Sequence, residues 1–500
     1  MLGLVAPGGL LTRAVTKAPL VARLGEGKRV GIPWCQAGEP SRGPRAEGEN
    51  MSAQSLGEQT VDLLGRLVRL GCVNDLTADS GGEERAADLL EEFFADLPVS
   101  IERITPHPGR TSLVVTVEGS DPSSAGTPLT LLGHTDVVPV DTAKWTRDPF
   151  GAQIEDDVMW GRGTVDMLHL TAAMAVVTRE VARRAQEGNP PARSLVFVAA
   201  ADEEARGGLG VPWIGEHRPD ALPWDAALSE MGGAHIRGHR GGDSVVVVVG
   251  EKGAAQRRLH IRGDAGHGSV PLGRTSAVER LAQVSAALSA ARWPTATDEV
   301  WAGFVRAFEF DETTETSLIN GTYEGDYSEF EDLAAFAHAI SHVTVAQTVA
   351  HSGGPINVMP SHATLELDIR TLPGVDDDDV DAAIMAALGD LAEHVTIERL
   401  LCEAATASSI DTDLYRAIEA ALTKRYRGAS VVPVLFPGGS DLRVARRLGG
   451  IGYGFGAVDS GASLGHVYSQ LHAHDEHIAL VDVRATAEVL HEVVTAYLGA

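Results

Sequence analysis

One alternation constrains this chain more than any other feature. Short, almost unbroken apolar runs at 113–117, 129–132, 195–200 and 226–228 are separated by stretches in which apolar residues recur at helical spacing. Strands that are apolar on both faces belong to a sheet covered on both sides, and the helical stretches between them supply the cover. The stripes are Val61, Leu64, Leu67 and Val68; then Ala86, Leu89, Leu90, Phe93, Phe94 and Leu97; then Leu170, Met174, Val177 and Val181. An α/β fold follows from this pattern.

The texture changes near residue 250. Between there and about 400 the sequence reads as strand (255–262), helix (Val278, Leu281, Val284, Leu288), strand (363–371), helix (Val380, Ile384, Leu388, Leu391) and strand (395–400). Two such units make a small α+β domain inserted into the larger one. The acidic run Asp376 to Asp379 stands where the second of these helices begins, where it favours the helix dipole, so a cation site is the weaker reading. After residue 400, helical stripes at Leu414, Ile418 and Leu422 and at Leu490, Val494 and Leu498 return to the first domain. The expected division is therefore 51–249 with 401–500 as one domain and 250–400 as the insert. Residues 1–50 are rich in Gly, Pro and Arg without a sustained period and are expected to be a disordered extension.

At 500 residues the chain exceeds what one core usually covers. Its formal net charge of -28 disfavours nucleic acid and anionic lipid as partners. The three cysteines, Cys35, Cys72 and Cys402, are far apart and lack CxxC spacing, which argues against a disulfide framework or a thiolate metal site and for a reducing cytoplasm. No apolar run approaches the roughly 20 residues that cross a bilayer. The first residues are apolar before they are basic, the reverse of a secretory signal, so export is not expected.

Polar residues of the metal-binding type stand just after several apolar runs: His134 and Asp136, Glu203 and Glu204, and Glu230. In an open α/β sheet those strand ends border the crevice where ligands bind. Residues two apart on a strand face the same way, so Asp136 is placed to hold the His134 imidazole toward a metal. Glu203 and Glu204 are adjacent and point apart, which lets one bind metal while the other addresses water.

These residues sit in longer strings: Gly133-His134-Thr135-Asp136-Val137-Val138-Pro139, Trp160-Gly161-Arg162-Gly163-Thr164-Val165-Asp166-Met167, Ala201-Asp202-Glu203-Glu204, Ser229-Glu230 and His472-Ala473-His474-Asp475-Glu476. In order and spacing they resemble a family of dinuclear zinc hydrolases, metallopeptidase family 20, which includes aminoacylase, acetylornithine deacetylase, succinyl-diaminopimelate desuccinylase, carnosinase-like dipeptidases and glutamate carboxypeptidases. The resemblance covers about residue 56 to the C-terminus. It implies a mixed-sheet zinc-exopeptidase-like catalytic domain with a ferredoxin-like lid that dimerises. It further implies that Asp166 bridges two divalent ions, with His134 and Glu230 on one and Glu204 and His472 on the other. The ions would be Zn2+, with Co2+ or Mn2+ as substitutes.

By the same resemblance Asp136 orients His134 and Glu203 is the general base. His474 and His477 lack the offset of His472 to Glu476 and are taken as surface residues. Gly266-His267-Gly268-Ser269 is similar to the segment whose histidine reaches a partner subunit's site to steady the oxyanion. Asn357 and Arg370 resemble the substrate-holding pair, and Gly439 and Ser440 the loop near its carboxylate; Arg370 also has the plainer reading of a strand arginine paired with an acid. After Asp166-Met167 many members carry Lys-Gly, whereas Leu168-His169 follow here. The implied reaction is hydrolysis of an amide or peptide bond in a small carboxylate-bearing substrate, as in a carboxypeptidase or dipeptidase. The alternatives are an N-acyl-amino-acid deacylase and, more remotely, a metal- or peptide-binding protein without turnover.

Overall fold

The apolar runs lie side by side. In the computed structural model, which describes residues 54–121 and 126–499, Leu195–Ala200, Leu129–His134 and Ala226–Ser229 are neighbouring parallel strands, every residue of them buried. They occupy the middle of a ten-stranded mixed sheet. On one flank Arg110–Val117 and Ser100–His107 add antiparallel strands; on the other come Ile451–Gly454 and Asp243–Glu251, the latter also pairing with Gly232–Arg237, Thr406–Ala407 and Ser430–Phe436. Helices Leu56–Leu70, Leu168–Gln186 and Leu480–Leu498 pack on one another over one face. The first of them is held at both ends: Ser55 accepts the Glu58 N–H, and Gly71 takes the left-handed conformation that ends the helix. Val211–His217 and Leu442–Arg447 share an apolar cluster with the central strands.

A second sheet is four-stranded and antiparallel, ordered Thr344–Ser352, His362–Thr371, Gly253–Arg262, Val395–Glu403. Burial alternates along its two central strands, so one face is packed and one is wet. Helices Ala277–Ala290 and Asp377–Leu388 cover it, and the chain order βαββαβ with this strand order is the ferredoxin-like arrangement. The acidic run is a capping box: Asp376 accepts the N–H groups of Asp378 and Asp379, and Asp379 reaches back to Asp376.

Two things were not anticipated. Thr344–Ser352 is a strand, and the residues before it form helices Glu299–Ala307, Glu312–Ile319 and Ala334–Ser341. Trp301 and Phe304 of the first helix and Phe308, Phe310 and Phe330 of the segments between the helices pack edge-to-face and stacked into one cluster. That cluster joins Val246, Val248 and Val434 of the large sheet to Leu259, Leu365 and Ile369 of the small one in a single apolar core. The expected extension at 1–50 lies outside the described residues, as does Cys35.

Candidate metal centre and active site

Three parallel strands deliver their downstream ends to one place. His134 is the last residue of its strand, Glu230 follows Ala226–Ser229 directly, and Glu203–Glu204 follow Leu195–Ala200 after a bend at Asp202, whose φ of +64 turns the chain. Asp166 enters from the loop before helix Leu168–Gln186, and His472 from the residues after helix Leu464–Gln470.

The five side chains converge. His134 Nε2 lies 3.4 Å from Asp166 Oδ1 and 3.8 Å from Glu230 Oε2. His472 Nε2 lies 3.3 Å from Asp166 Oδ2 and 3.1 Å from Glu204 Oε2. Asp166 thus turns one oxygen to each histidine, and each histidine has a second carboxylate of its own. Charge-assisted hydrogen bonds are usually about 2.7–2.9 Å. Ligand atoms about 2.0–2.2 Å from a tetrahedral metal are instead about 3.3–3.6 Å apart, so three of these four separations match two neighbours on one ion better than direct partners.

Charge gives a second test of fit. Burial and then the repulsion of Asp166 push the Glu204 carboxyl up to about 7 and that of Glu230 up to about 8. Burial and then Glu230 raise Glu203 well above the ordinary carboxylate range. Asp166 and Glu204 raise His472 to about 10. Burial alone would raise Asp166, but the two histidines hold it far below the usual range. Glu204 Oε1 is buried without a hydrogen-bond partner. Buried, mutually repelling carboxylates with a free oxygen are what a bound cation relieves, and the donor set fits divalent metal. Ligand atoms of His134, Glu203 and Glu230, and those of His134, Asp166 and Glu204, form two groups within 4.8 Å.

Asp136 supports this arrangement differently from the expectation. His134 Nδ1 donates to the Asp136 backbone carbonyl at 2.9 Å, while its carboxylate is 3.5 Å away. The carboxylate instead accepts the Glu203 N–H (3.2 Å), the Glu204 N–H (3.1 Å) and the Asn74 side-chain amide (2.9 Å). Backbone fixes the imidazole and side chain fixes the two glutamates. Asn74 also donates to Asp202 and accepts from Arg110, which is paired with Glu83 at 2.6 Å in full burial. Glu476 does the same for the Asp166 loop, accepting from Arg162 Nη1 (2.7 Å) and from the N–H groups of Gly163 (3.1 Å), Val165 (2.6 Å) and Asp166 (3.1 Å).

A cleft of about 460 Å3 lies beside these groups, lined by Asp166, Glu203, Glu204, Glu230 and His472 and by Arg206, Lys252, Arg370, Arg443 and Arg447. Arg370 meets Asp368 through two hydrogen bonds, 2.9 and 3.2 Å, while facing the cleft. Gly439 lines it too. Ser440 is buried and committed to Glu251, its N–H at 2.6 Å and its hydroxyl at 2.7 Å. His267 and Asn357 do not line the cleft; they are neighbours on the small-sheet side, Gly268 N–H donating to Asn357 O at 2.7 Å, and both are exposed. The sequence reading missed Lys252 and Arg443. Arg443 is buried directly after the Gly438-Gly439-Ser440-Asp441 loop, and burial would lower its pKa, but Glu203 and Asp441 outweigh it and raise it.

Comparison with known proteins agrees with the geometry. The profile of Peptidase family M20/M25/M40 matches residues 130–496. Among relatives, "Probable carboxypeptidase S-like 2" of Dictyostelium discoideum is 27% identical over 344 residues, 66% of this chain and 64% of that protein. Acetylornithine deacetylase of Erwinia tasmaniensis is 27% identical over 308 residues, 61% of this chain and 65% of that protein. The matched part spans less than two thirds of either relative. The structure superposes on an M20 family metallo-carboxypeptidase of Sulfolobus solfataricus with a TM-score of 0.64 at 20% identity, covering 88% of this chain and 100% of the other.

Proposed function

This chain belongs to Peptidase family M20/M25/M40, and from that premise we propose that it is a dinuclear metal hydrolase cleaving an amide bond in a small substrate with a free carboxylate. The observation that carries the reading is Asp166, whose two oxygens face two histidines, each with its own further carboxylate. We assign His134, Asp166 and Glu230 to one ion and Asp166, Glu204 and His472 to the other, with zinc as the metal and Co2+ or Mn2+ as substitutes. When bound, the pair supplies Lewis acidity and lowers the pKa of water toward neutrality.

The protein's own groups do the rest. Glu203, held beside Glu230 by its backbone bond to Asp136, accepts the proton of the attacking water and returns it to the leaving nitrogen. The cationic wall takes the substrate carboxylate through Arg370, the backbone at Gly439 and, in addition, Arg443, since a guanidinium suits bidentate recognition, while Ser440 holds this loop in place through Glu251. His267, on a separate two-stranded pair of Gly266–His267 with Val358–Met359, and Asn357 beside it act from outside the cleft. Because His267 stands away from the cleft in its own chain, we assign its oxyanion contact to a homodimer in which it serves a second copy.

We take 250–400 as the lid and 51–249 with 401–500 as the catalytic domain. No described helix is long and apolar enough to cross a membrane. Cys72 and Cys402 are both free thiols, in keeping with a cytoplasmic setting.

The likeness to a deacetylase favours a second reading, an N-acyl-amino-acid deacylase, because the same centre serves both and the pockets decide. The test is metal analysis followed by assay on dipeptides and N-acyl amino acids, with Glu203→Gln alongside. The variant is expected to keep its metal and lose ~10²–10⁴-fold in kcat. Near-normal turnover of the loaded variant refutes the assignment.

A further inference from the structure

A second cavity, of about 250 Å3, adjoins the cleft and shares Met231, Phe436, Tyr468 and Leu471 with it. Two of these four border the metal centre along the chain: Met231 follows Glu230, and Leu471 precedes His472. The neck between the cavities therefore lies beside the reacting position. Tyr468 forms it with edge-to-face contacts to Phe336 and Phe436, at centroid distances of 5.3 and 6.3 Å.

Beyond the neck the walls are largely apolar. Val246 and Val248, two apart on one strand, face inward together, with Val434, Leu464 and Val467 around them. Of the polar groups in the wall, Asp482 accepts from the Ser460 N–H and hydroxyl, both at 2.7 Å, and Thr486 donates to Ala457 O at 3.0 Å, while His169, whose Nδ1 is buried without a hydrogen-bond partner, His466, Gln470 and His477 give the wall a polar side. An apolar cavity of about 150 Å3 is enough to bind benzene in another protein, so this one has room for a group larger than a single ring.

The two cavities differ in character, and that sets the direction of the substrate. Its carboxylate belongs among Arg370, Arg443 and Arg447, on the cleft side of the neck; the Lys252 ammonium is committed to Ala339 O, His342 O and the Thr344 hydroxyl. With the scissile carbonyl at the metal centre, the arm left over is the acyl side, and it points through the neck. We infer that the second cavity is the acyl-side pocket, and that the preferred substrate is an amino acid acylated by a large apolar group, either an unbranched chain of about six to eight carbons or a bulky apolar residue. The inference rests on the hydrolase reading given above.

The test uses the metal-loaded full chain and two substrate series. In the first, one amino acid carries acetyl, butanoyl, hexanoyl and octanoyl groups; in the second, the acetyl group is constant and the side chain of the carboxylate-bearing residue lengthens. Burial of each methylene is expected to raise kcat/KM about fourfold until the cavity fills, at least ~50-fold from acetyl to octanoyl, with less than ~10-fold change along the second series. Val467→Trp, which fills the cavity, should lower the octanoyl-to-acetyl ratio at least ~10-fold, and Val467→Ala should move the optimum to a longer chain. Equal rates along the first series, or a gain confined to the second, overturn the pocket assignment and leave the hydrolase reading standing. Failure to hydrolyse any member of either series, with dipeptides carrying a bulky apolar N-terminal residue also inert, overturns both.

Discussion

Replacing Glu476 by Gln tests how the Asp166 loop is held. The carboxylate is fully buried and gathers four donors, the Arg162 guanidinium and three N–H groups of residues 163–166. An amide of the same shape keeps one oxygen. If it faces Val165 and Asp166, its NH2 is set against Arg162 and Gly163, donor against donor. If it flips, the Val165 and Asp166 N–H groups lose their acceptor. Two bonds to a charged acceptor are lost either way, at about 1.5–3 kcal/mol each, and stranding a buried guanidinium costs about 3–5 kcal/mol; these describe one loss and are not summed. The metal-free variant should therefore be about 3–5 kcal/mol less stable in denaturant titrations. Because Asp166 faces both histidines, metal affinity measured by chelator competition should fall about 10–100-fold. The double variant Arg162→Met/Glu476→Gln should recover at least ~2 kcal/mol relative to the sum of the single changes. A loss under ~1 kcal/mol with unchanged metal affinity would refute the reasoning.

Metal binding should release protons. His134, raised well above its ordinary range, Glu230, pushed up to about 8, and His472, raised to about 10, favour their protonated forms at pH 7 in the metal-free protein, and Glu204 is pushed up to about 7, so bound cations displace at least two protons. Calorimetry in buffers of different ionisation enthalpy should find on the order of two released, and a value near zero would contradict the placement of these ligands. Chelation should lower the unfolding temperature and re-addition restore it, by about 4 kcal/mol at a thousandfold excess over Kd; an unchanged transition would count against a native site. Arg443→Met should raise KM for free-carboxylate substrates about 10–100-fold, and the same loss on carboxamide analogues would place its role elsewhere. Burial, then His338 and Lys252, hold His342 down to about 4 from an ordinary 6.5. The unfolded chain binds the extra proton first, so stability is full above pH 6.5 and declines toward pH 4, by about 2 kcal/mol after allowing for its partial exposure. His342→Gln should flatten that decline, and an identical pH profile would refute it.

Of the proposed metal ligands, His134, Glu204 and Glu230 were legible because parallel strands deliver their ends to one edge, so a His or Glu after each apolar run declares its own position; Asp166 and His472 follow no apolar run and are implied by the family resemblance alone. Supporting groups were not. Asn74, Glu83 and Arg110 meet Asp136 only through tertiary contacts between residues tens of positions apart, and nothing local marks a buried arginine. Ser100–His107 reads as polar because it is a sheet-edge strand, and its partner Arg110–Val117 is apolar only from Leu113 on, since Arg110, Thr111 and Ser112 are polar although buried. The aromatic helices before Thr344–Ser352 carry none of the strings that mark the family and lie between two strands that read clearly. The apolar cavity is assembled from many separate segments, none with a signature of its own.

The aromatic cluster that bridges the two sheets has a mechanical consequence. Where two layers share one apolar core, neither can swing freely without exposing it, so a rigid swing of the whole small layer is disfavoured. The same coupling predicts a single calorimetric transition for residues of both sheets. Trp301→Ala, by hollowing out the bridge, should split that transition into two melting steps.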